Sequence, residues 1–266
     1  METKEKCGES RDIMNGQTII ITGGSSGMGL GMAKRFAADG ANVVITGRNK
    51  DKLEEAKKEI SKQDDQVLCI PMDVRKPDDV ARMVEETKSR FGRIDHLVNN
   101  AAGNFIVNAE DLSINGWHAV IDIVLHGTFY CSQAVGKEWI KNGQKGTILN
   151  MLATYAYTGA APGVIHSASA KAGVWAMTKT LAVEWGQKYG IRVNAIAPGP
   201  IERTGGADRL WESKEAEERT INSVPIKRLG TPEEVAALAA FILSDEASYI
   251  NGECITMDGG QVLATK

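Results

Sequence analysis

The sequence predicts a single α/β domain built on a doubly wound parallel β-sheet with helices on both faces. Three observations predict it. Strand-type and helix-type stretches alternate from Gln17 to the end of the chain. The strand stretches are short and apolar, as in Val43-Val44-Ile45, the pattern of strands covered on both faces. The first of them ends in a glycine-rich turn, Thr22-Gly23-Gly24-Ser25-Ser26-Gly27-Met28-Gly29, and a helical pattern (Leu30, Met32, Ala33, Phe36, Ala37) follows at once.

Taken in order, the first half reads β 17–22, α 27–39, β 42–46, α 50–61, β 67–71, α 77–91 and β 94–99. The second half reads α 115–141, β 146–151, α 167–189, β 191–196, an irregular and then helical stretch over 200–221, α 231–243 and β 253–257. This makes about seven strands. Start signals agree with the pattern. Thr231-Pro232-Glu233-Glu234 places an N-cap Thr before a Pro at the first helical position and acids in the first turn. Lys76-Pro77-Asp78-Asp79 opens another helix in the same way. No linker breaks the alternation, so residues 16–266 are expected to form one domain. Residues 1–15, polar and charged without an apolar core, are expected to form a flexible tail and not a signal peptide.

Composition narrows the function. The chain has 266 residues, 42% hydrophobic and 24% charged, which supports a large core. A net charge of −3 with scattered Arg and Lys argues against nucleic acid as a partner. No apolar run reaches the length of a membrane span. Cys7, Cys69, Cys131 and Cys254 form no CxxC pair, and His96, His118, His126 and His166 form no metal-ligand spacing. The thiols read as reduced and the location as cytoplasmic, and no metal is expected.

The glycine turn points to a dinucleotide. Gly23 permits the tight turn, Gly27 permits close approach of a pyrophosphate, and Gly29 lets the helix pack near the strand. The helix N-terminus offers free N–H groups and positive dipole to phosphate. The second strand ends Ile45-Thr46-Gly47-Arg48, with no acid before Asp51 to take the adenosine ribose hydroxyls. Arg48, helped by the hydroxyls of Ser25 and Ser26, suits a 2′-phosphate, so the expected cofactor is NADPH.

Three motifs in this order and spacing, Thr22-Gly23 through Gly29, Asn99-Asn100-Ala101-Ala102-Gly103 and Pro198-Gly199-Pro200-Ile201, resemble the short-chain dehydrogenase/reductase superfamily from Gln17 to Gly260. The resemblance implies a Rossmann-type fold and a homotetramer. It also implies cofactor contacts from Gly23, Ser25, Ser26, Gly27, Met28, Gly29, Arg48, Asp73 (to adenine), Val74, Asn99, Ala101, Lys171, Pro198, Gly199 and Ile201 (to the nicotinamide carboxamide).

The superfamily's Tyr-x-x-x-Lys pattern is altered to Ser167-Ala168-Ser169-Ala170-Lys171, and its helical Asn to Val124. Ser167 and Lys171 still share a helix face. An alkyl hydroxyl is a far weaker acid than a phenol of pKa ~10, so Ser167 cannot take over carbonyl reduction. Asn99 to Phe105, Asp122-Ile123-Val124-Leu125, Thr154-Tyr155-Ala156 and the Ser167–Gly173 stretch resemble the 2,4-dienoyl-CoA reductase branch, which carries its tyrosine a dozen residues upstream. Tyr155 is the matching residue, with Tyr157 a weaker candidate because the following loop is one residue longer. Where that branch has an Asn beside the thioester carbonyl, this chain has His126, whose imidazole can also donate one hydrogen bond.

The resemblance implies hydride transfer from NADPH to C5 of a 2,4-dienoyl-CoA, a dienolate, and protonation at C2 to a 3-enoyl-CoA in unsaturated fatty acid β-oxidation. Tyr155 and His126 would aim donors at the thioester oxygen, while Lys171 and Ser167 would orient the nicotinamide ribose. Asn104 and Phe105 are expected against substrate, with Arg75, Arg203 and Arg209 near the CoA phosphates. Thr204-Gly205-Gly206 reads as a lid hinge. The alternatives are a related reductase of enoyl-CoA or 3-oxoacyl thioesters, and a non-catalytic NADPH-binding protein.

Overall fold

A computed structural model describes residues 14–63, 65–158, 162–204 and 213–264. Seven parallel strands form one sheet in the order β3-β2-β1-β4-β5-β6-β7. They are β1 (Thr18–Thr22), β2 (Asn42–Gly47), β3 (Val67–Pro71), β4 (His96–Asn99), β5 (Thr147–Met151), β6 (Arg192–Pro198) and β7 (Cys254–Met257). The helices are α1 (Gly27–Ala38), α2 (Lys50–Ile60), α3 (Pro77–Phe91), α4 (Ile114–Ile121), α5 (Gly127–Asn142), α6 (Tyr155–Thr158), α7 (Ile165–Tyr189), α8 (Lys214–Ser223), α9 (Pro232–Leu243) and α10 (Gln261–Ala264). The expected elements are all present, with two differences in form. The predicted helix over 115–141 is broken by a π-helical turn, Asp122–His126. A short helix, α6, carries Tyr155 just after β5.

Alternation of side chains along each strand sends neighbours to opposite faces. Ile19, Ile21, Val43 and Ile45 join one core with Met32 and Phe36 of α1 and Val235 and Ala239 of α9. Ile20, Val44, Leu97 and Ile148 join the other core with Met83 of α3 and Cys131, Val135 and Trp139 of α5. Trp139 is fully buried and donates its indole N–H to the Ile94 carbonyl at 2.7 Å. A third cluster sets Val124 of the π turn against Leu152, Ala170 and Val174, behind the start of α7.

The expected tail boundary lies slightly earlier than 15. Met14 is fully buried and its N–H donates to the Asp39 carbonyl, so packing begins by residue 14. No helix among the described residues is long and apolar enough to cross a membrane.

Candidate active site

The chain runs β1 to β2 to β3 outward, then returns to place β4 on the other side of β1. Reversal of strand order opens a crevice at the carboxyl ends of β1 and β4. The two loops that leave these strands are locked together there. The Thr22 hydroxyl accepts the N–H groups of Asn100 and Ala101, each at 3.0 Å. The Asn100 amide donates to the Thr22 and Gly23 carbonyls at 3.1 and 3.0 Å.

The glycines do separable jobs. Gly23 holds φ +66°, and a Cβ there would meet Ala101 Cα at 3.0 Å. A Cβ on Gly29 would meet the Gly23 carbonyl oxygen at 2.3 Å, so α1 can start this close to the turn only with glycine. Ser26 is the N-cap of α1, yet its side chain caps no helix N–H. Met28 packs partly buried on the first core. Ser25 lies beside Gly47 at the end of β2. Arg48 is exposed, has no hydrogen-bonded partner among the described residues, and holds its charge near Asp73. A narrow glycine turn, an uncapped helix N-terminus and an uncommitted guanidinium beyond β2 fit a phosphorylated dinucleotide.

Several expected contacts are engaged elsewhere. Arg75 grips both carboxylate oxygens of Asp73 at 2.5–3.0 Å, which holds that carboxyl below its usual pKa. Arg203 pairs with Glu202 at 3.0 Å and with Glu233. Neither guanidinium is free for a CoA phosphate in this arrangement, and Arg209 with Gly205 and Gly206 lies outside the described residues. Asn99 is buried behind the crevice, donating to the Ser132 hydroxyl at 3.0 Å and the Asn150 side chain at 2.9 Å, and Asn150 donates to Thr178. The side chain of Val74 is buried in the second core and that of Ile201 in the first. Ile201 therefore reaches a ligand only through its backbone, whose N–H bonds nothing among the described residues. Gly199, after Pro198, abuts Asp258 so closely that a Cβ would lie 2.7 Å from it.

The chemistry gathers where β5, α6 and α7 meet. The Tyr155 hydroxyl shares a hydrogen bond with the Ser167 hydroxyl at 3.0 Å. Burial pushes the Tyr155 phenol up, with Ser167 partly opposing. Lys171, one turn along α7, is buried and donates from Nζ to the Met151 carbonyl. Burial lowers its ammonium to about 8. Tyr157 is engaged differently, with its hydroxyl 2.5 Å from Thr256 and its ring against Trp175.

His126 makes no hydrogen bond to this group among the described residues. It lies on the π turn, its side chain 48% exposed, with Nδ1 3.0 Å from the Asp122 carboxylate. That carboxylate selects the tautomer with hydrogen on Nδ1, so Nε2 of the neutral ring is an acceptor. As a donor it acts only as imidazolium. Asp122, four residues earlier, was visible in the sequence as a helix neighbour. His166, adjacent to Ser167, was visible only as one of four unpaired histidines.

A seven-stranded sheet in this order, a glycine turn at its switch point and a Ser–Tyr–Lys group beside it define a nucleotide-dependent oxidoreductase. The chain belongs to the short-chain dehydrogenase/reductase family. The family model described as "Enoyl-(Acyl carrier protein) reductase" matches residues 13–261. A protein of Bacillus subtilis named "Probable 2,4-dienoyl-CoA reductase [(2E)-enoyl-CoA-producing]" is 65% identical over 250 residues, covering 94% of this chain and 98% of that one. A zebrafish (Danio rerio) protein named "Peroxisomal 2,4-dienoyl-CoA reductase [(3E)-enoyl-CoA-producing]" is 41% identical over 257 residues, covering 96% and 85%. The crystal structure of a short chain dehydrogenase from Bacillus anthracis is 66% identical, with a TM-score of 0.89 over 95% of this chain and 98% of that one. Family membership implies a nicotinamide dinucleotide as cofactor.

Proposed function

We propose that this protein reduces 2,4-dienoyl-CoA thioesters with NADPH. The observation that carries the reading is Tyr155 held at 3.0 Å on Ser167, in a helix where the usual phenol is missing and Lys171 is retained. The names of the relatives support the same substrate class.

NADPH, when bound, supplies hydride. Gly23, Gly27 and the first turn of α1 would cradle its pyrophosphate, Arg48 its 2′-phosphate, and the Ile201 N–H its carboxamide. Lys171 would hold the nicotinamide ribose, and Asn104 and Phe105 would flank the acyl group. Hydride at C5 of the dienoyl thioester drives negative charge onto the thioester oxygen. Tyr155 donates to that oxygen, while Ser167 donates to Tyr155 and keeps the phenolic hydrogen aimed outward. One such donor is worth about 2.7–4 kcal/mol of barrier. The enolate oxygen needs stabilisation and not a strong acid, so Ser167 suffices where a carbonyl reductase needs tyrosine. His126 adds a second donor only when protonated. Water at C2 gives the 3-enoyl thioester; delivery at C4 instead would give the 2-enoyl product printed in the name of the Bacillus subtilis relative.

The test is NADPH oxidation with trans-2,trans-4-hexadienoyl-CoA and, in parallel, acetoacetyl-CoA, for wild type and Tyr155→Phe, with the product double bond located by NMR. Turnover of the dienoyl thioester alone, reduced about 10²–10³-fold in the variant, is expected. Turnover of acetoacetyl-CoA instead would overturn the reading.

A further inference from the structure

His166 is the second residue of α7 and directly precedes Ser167. Its side chain is 0% exposed, and neither Nδ1 nor Nε2 has a hydrogen-bond partner among the described residues. Buried polar groups in folded proteins are nearly always satisfied, and an imidazole in either protonation state carries at least one N–H to place. The other buried imidazole, His96, bonds through one nitrogen, with Nε2 2.9 Å from the Gln17 side chain and Nδ1 without a partner among the described residues.

One neighbour of the His166 imidazole is a ring. Phe105 stands edge-on to the imidazole, with centroids 4.5 Å apart and planes at 85°. Phe105 is itself 38% exposed, on a stretch with no helix or strand. That stretch rests on the turn before α7, where the Val107 N–H donates to the Gly163 carbonyl at 2.9 Å and Ile106 crowds Gly163. A half-exposed aromatic ring thus packs on the unpartnered imidazole, next in sequence to the serine that bonds Tyr155. The thioester oxygen has two lone pairs and Tyr155 fills one. His126 does not offer a neutral donor for the other, because its Nδ1–H belongs to Asp122.

We propose that His166 is a substrate-binding residue whose ring N–H is the second donor to the thioester carbonyl, uncovered when the acyl chain displaces Phe105. This rests on the dienoyl-CoA reading. In the ligand-free form the imidazole keeps its hydrogen-bonding capacity unspent, and the Phe105 ring packs on it. Substrate exchanges the ring contact for a hydrogen bond.

The experiment labels the histidines with ¹⁵N and follows the His166 ring nitrogens in the NADP⁺-bound protein on addition of trans-2,trans-4-hexadienoyl-CoA or CoA alone. Binding of each is measured by calorimetry. In parallel, kcat, KM and the NADPH Kd are measured for His166→Phe and His166→Gln. The expected result is a ring-nitrogen shift with the thioester and none with CoA. His166→Phe should lose roughly tenfold in kcat/KM with the NADPH Kd unchanged, and His166→Gln should recover part of it. Ring resonances unmoved by bound thioester would overturn the proposal, as would full activity in His166→Phe; either would leave the imidazole as packing or as the host of an internal water. Calorimetry showing no thioester binding at all would instead overturn the dienoyl reading, and this inference with it. The labelled wild-type protein decides the matter even if the Phe variant does not fold.

Discussion

The Ser167 hydroxyl lies 3.0 Å from the hydroxyl of Tyr155, twelve residues away in sequence and on a different helix. In the proposed mechanism the pair divides one task, with Tyr155 presenting the donor and Ser167 fixing where that donor points. Ser167→Ala removes the second function only. Its kcat should fall roughly tenfold, well short of the loss in Tyr155→Phe, with little change in NADPH affinity. Steady-state kinetics on the two single variants and the double variant test this. Additive losses would show that the two hydroxyls do not act as a unit.

Lys171 is charged below about 8 and neutral above it, because burial disfavours its ammonium. The charged form donates the stronger, charge-assisted hydrogen bond to a ribose hydroxyl while still bonded to the Met151 carbonyl. Activity is therefore expected to decline on the alkaline side, with a midpoint near 8. Lys171→Arg should move that limb out of the measurable range. A flat profile from pH 7 to 9.5 in the wild type would contradict the assignment.

In the proposed function Arg48 selects the nucleotide. An exposed guanidinium without a bonded partner is available for a 2′-phosphate, and aspartate at the same place repels it and suits ribose hydroxyls. Arg48→Asp should raise the NADPH KM about 10- to 100-fold and leave NADH little affected or improved. Equal NADPH kinetics in the variant would remove Arg48 from the site.

His96 makes the fold sensitive to acid. Burial drops its imidazole from 6.5 to about 4, Arg192 adding to the effect and Asp95 opposing it. The folded state keeps the ring neutral while the unfolded chain protonates it near 6.5. Its contribution is thus present above pH 6.5 and is lost as pH falls toward 4, on the order of 3 kcal/mol in all. Urea midpoints between pH 7 and pH 4.5 should show the decline, and His96→Gln should flatten it.

The sheet was legible because its strands are brief apolar runs between capped helices. Thr231 caps α9 as the sequence implied, and in the structure it also forms a capping box with Glu234. The glycine turn was legible for the same local reason. What escaped were features set by tertiary partners. The π turn has no local sequence signature; it arises where Val124 packs toward α7 while Gly127 must lie against Val74. Arg75 and Arg203 read as free cations because their carboxylates, Asp73 and Glu233, become partners only through turn and loop geometry. His166 looked ordinary because its missing partners are a property of the space around it.

The wide turn at Asp122–His126 also acts as a register insert. Its closing bond runs from the Gly127 N–H to the Asp122 carbonyl, one residue more than an α-helical turn spans. Each residue of an α-helix rotates the surface by about 100°, so everything after the turn is set by that extra residue. Cys131, Ser132, Val135 and Trp139 face inward only with it in place. A one-residue deletion there would leave the helix intact as a helix and swing its buried stripe toward solvent. Length in this short stretch is therefore constrained more tightly than the identity of any single side chain within it.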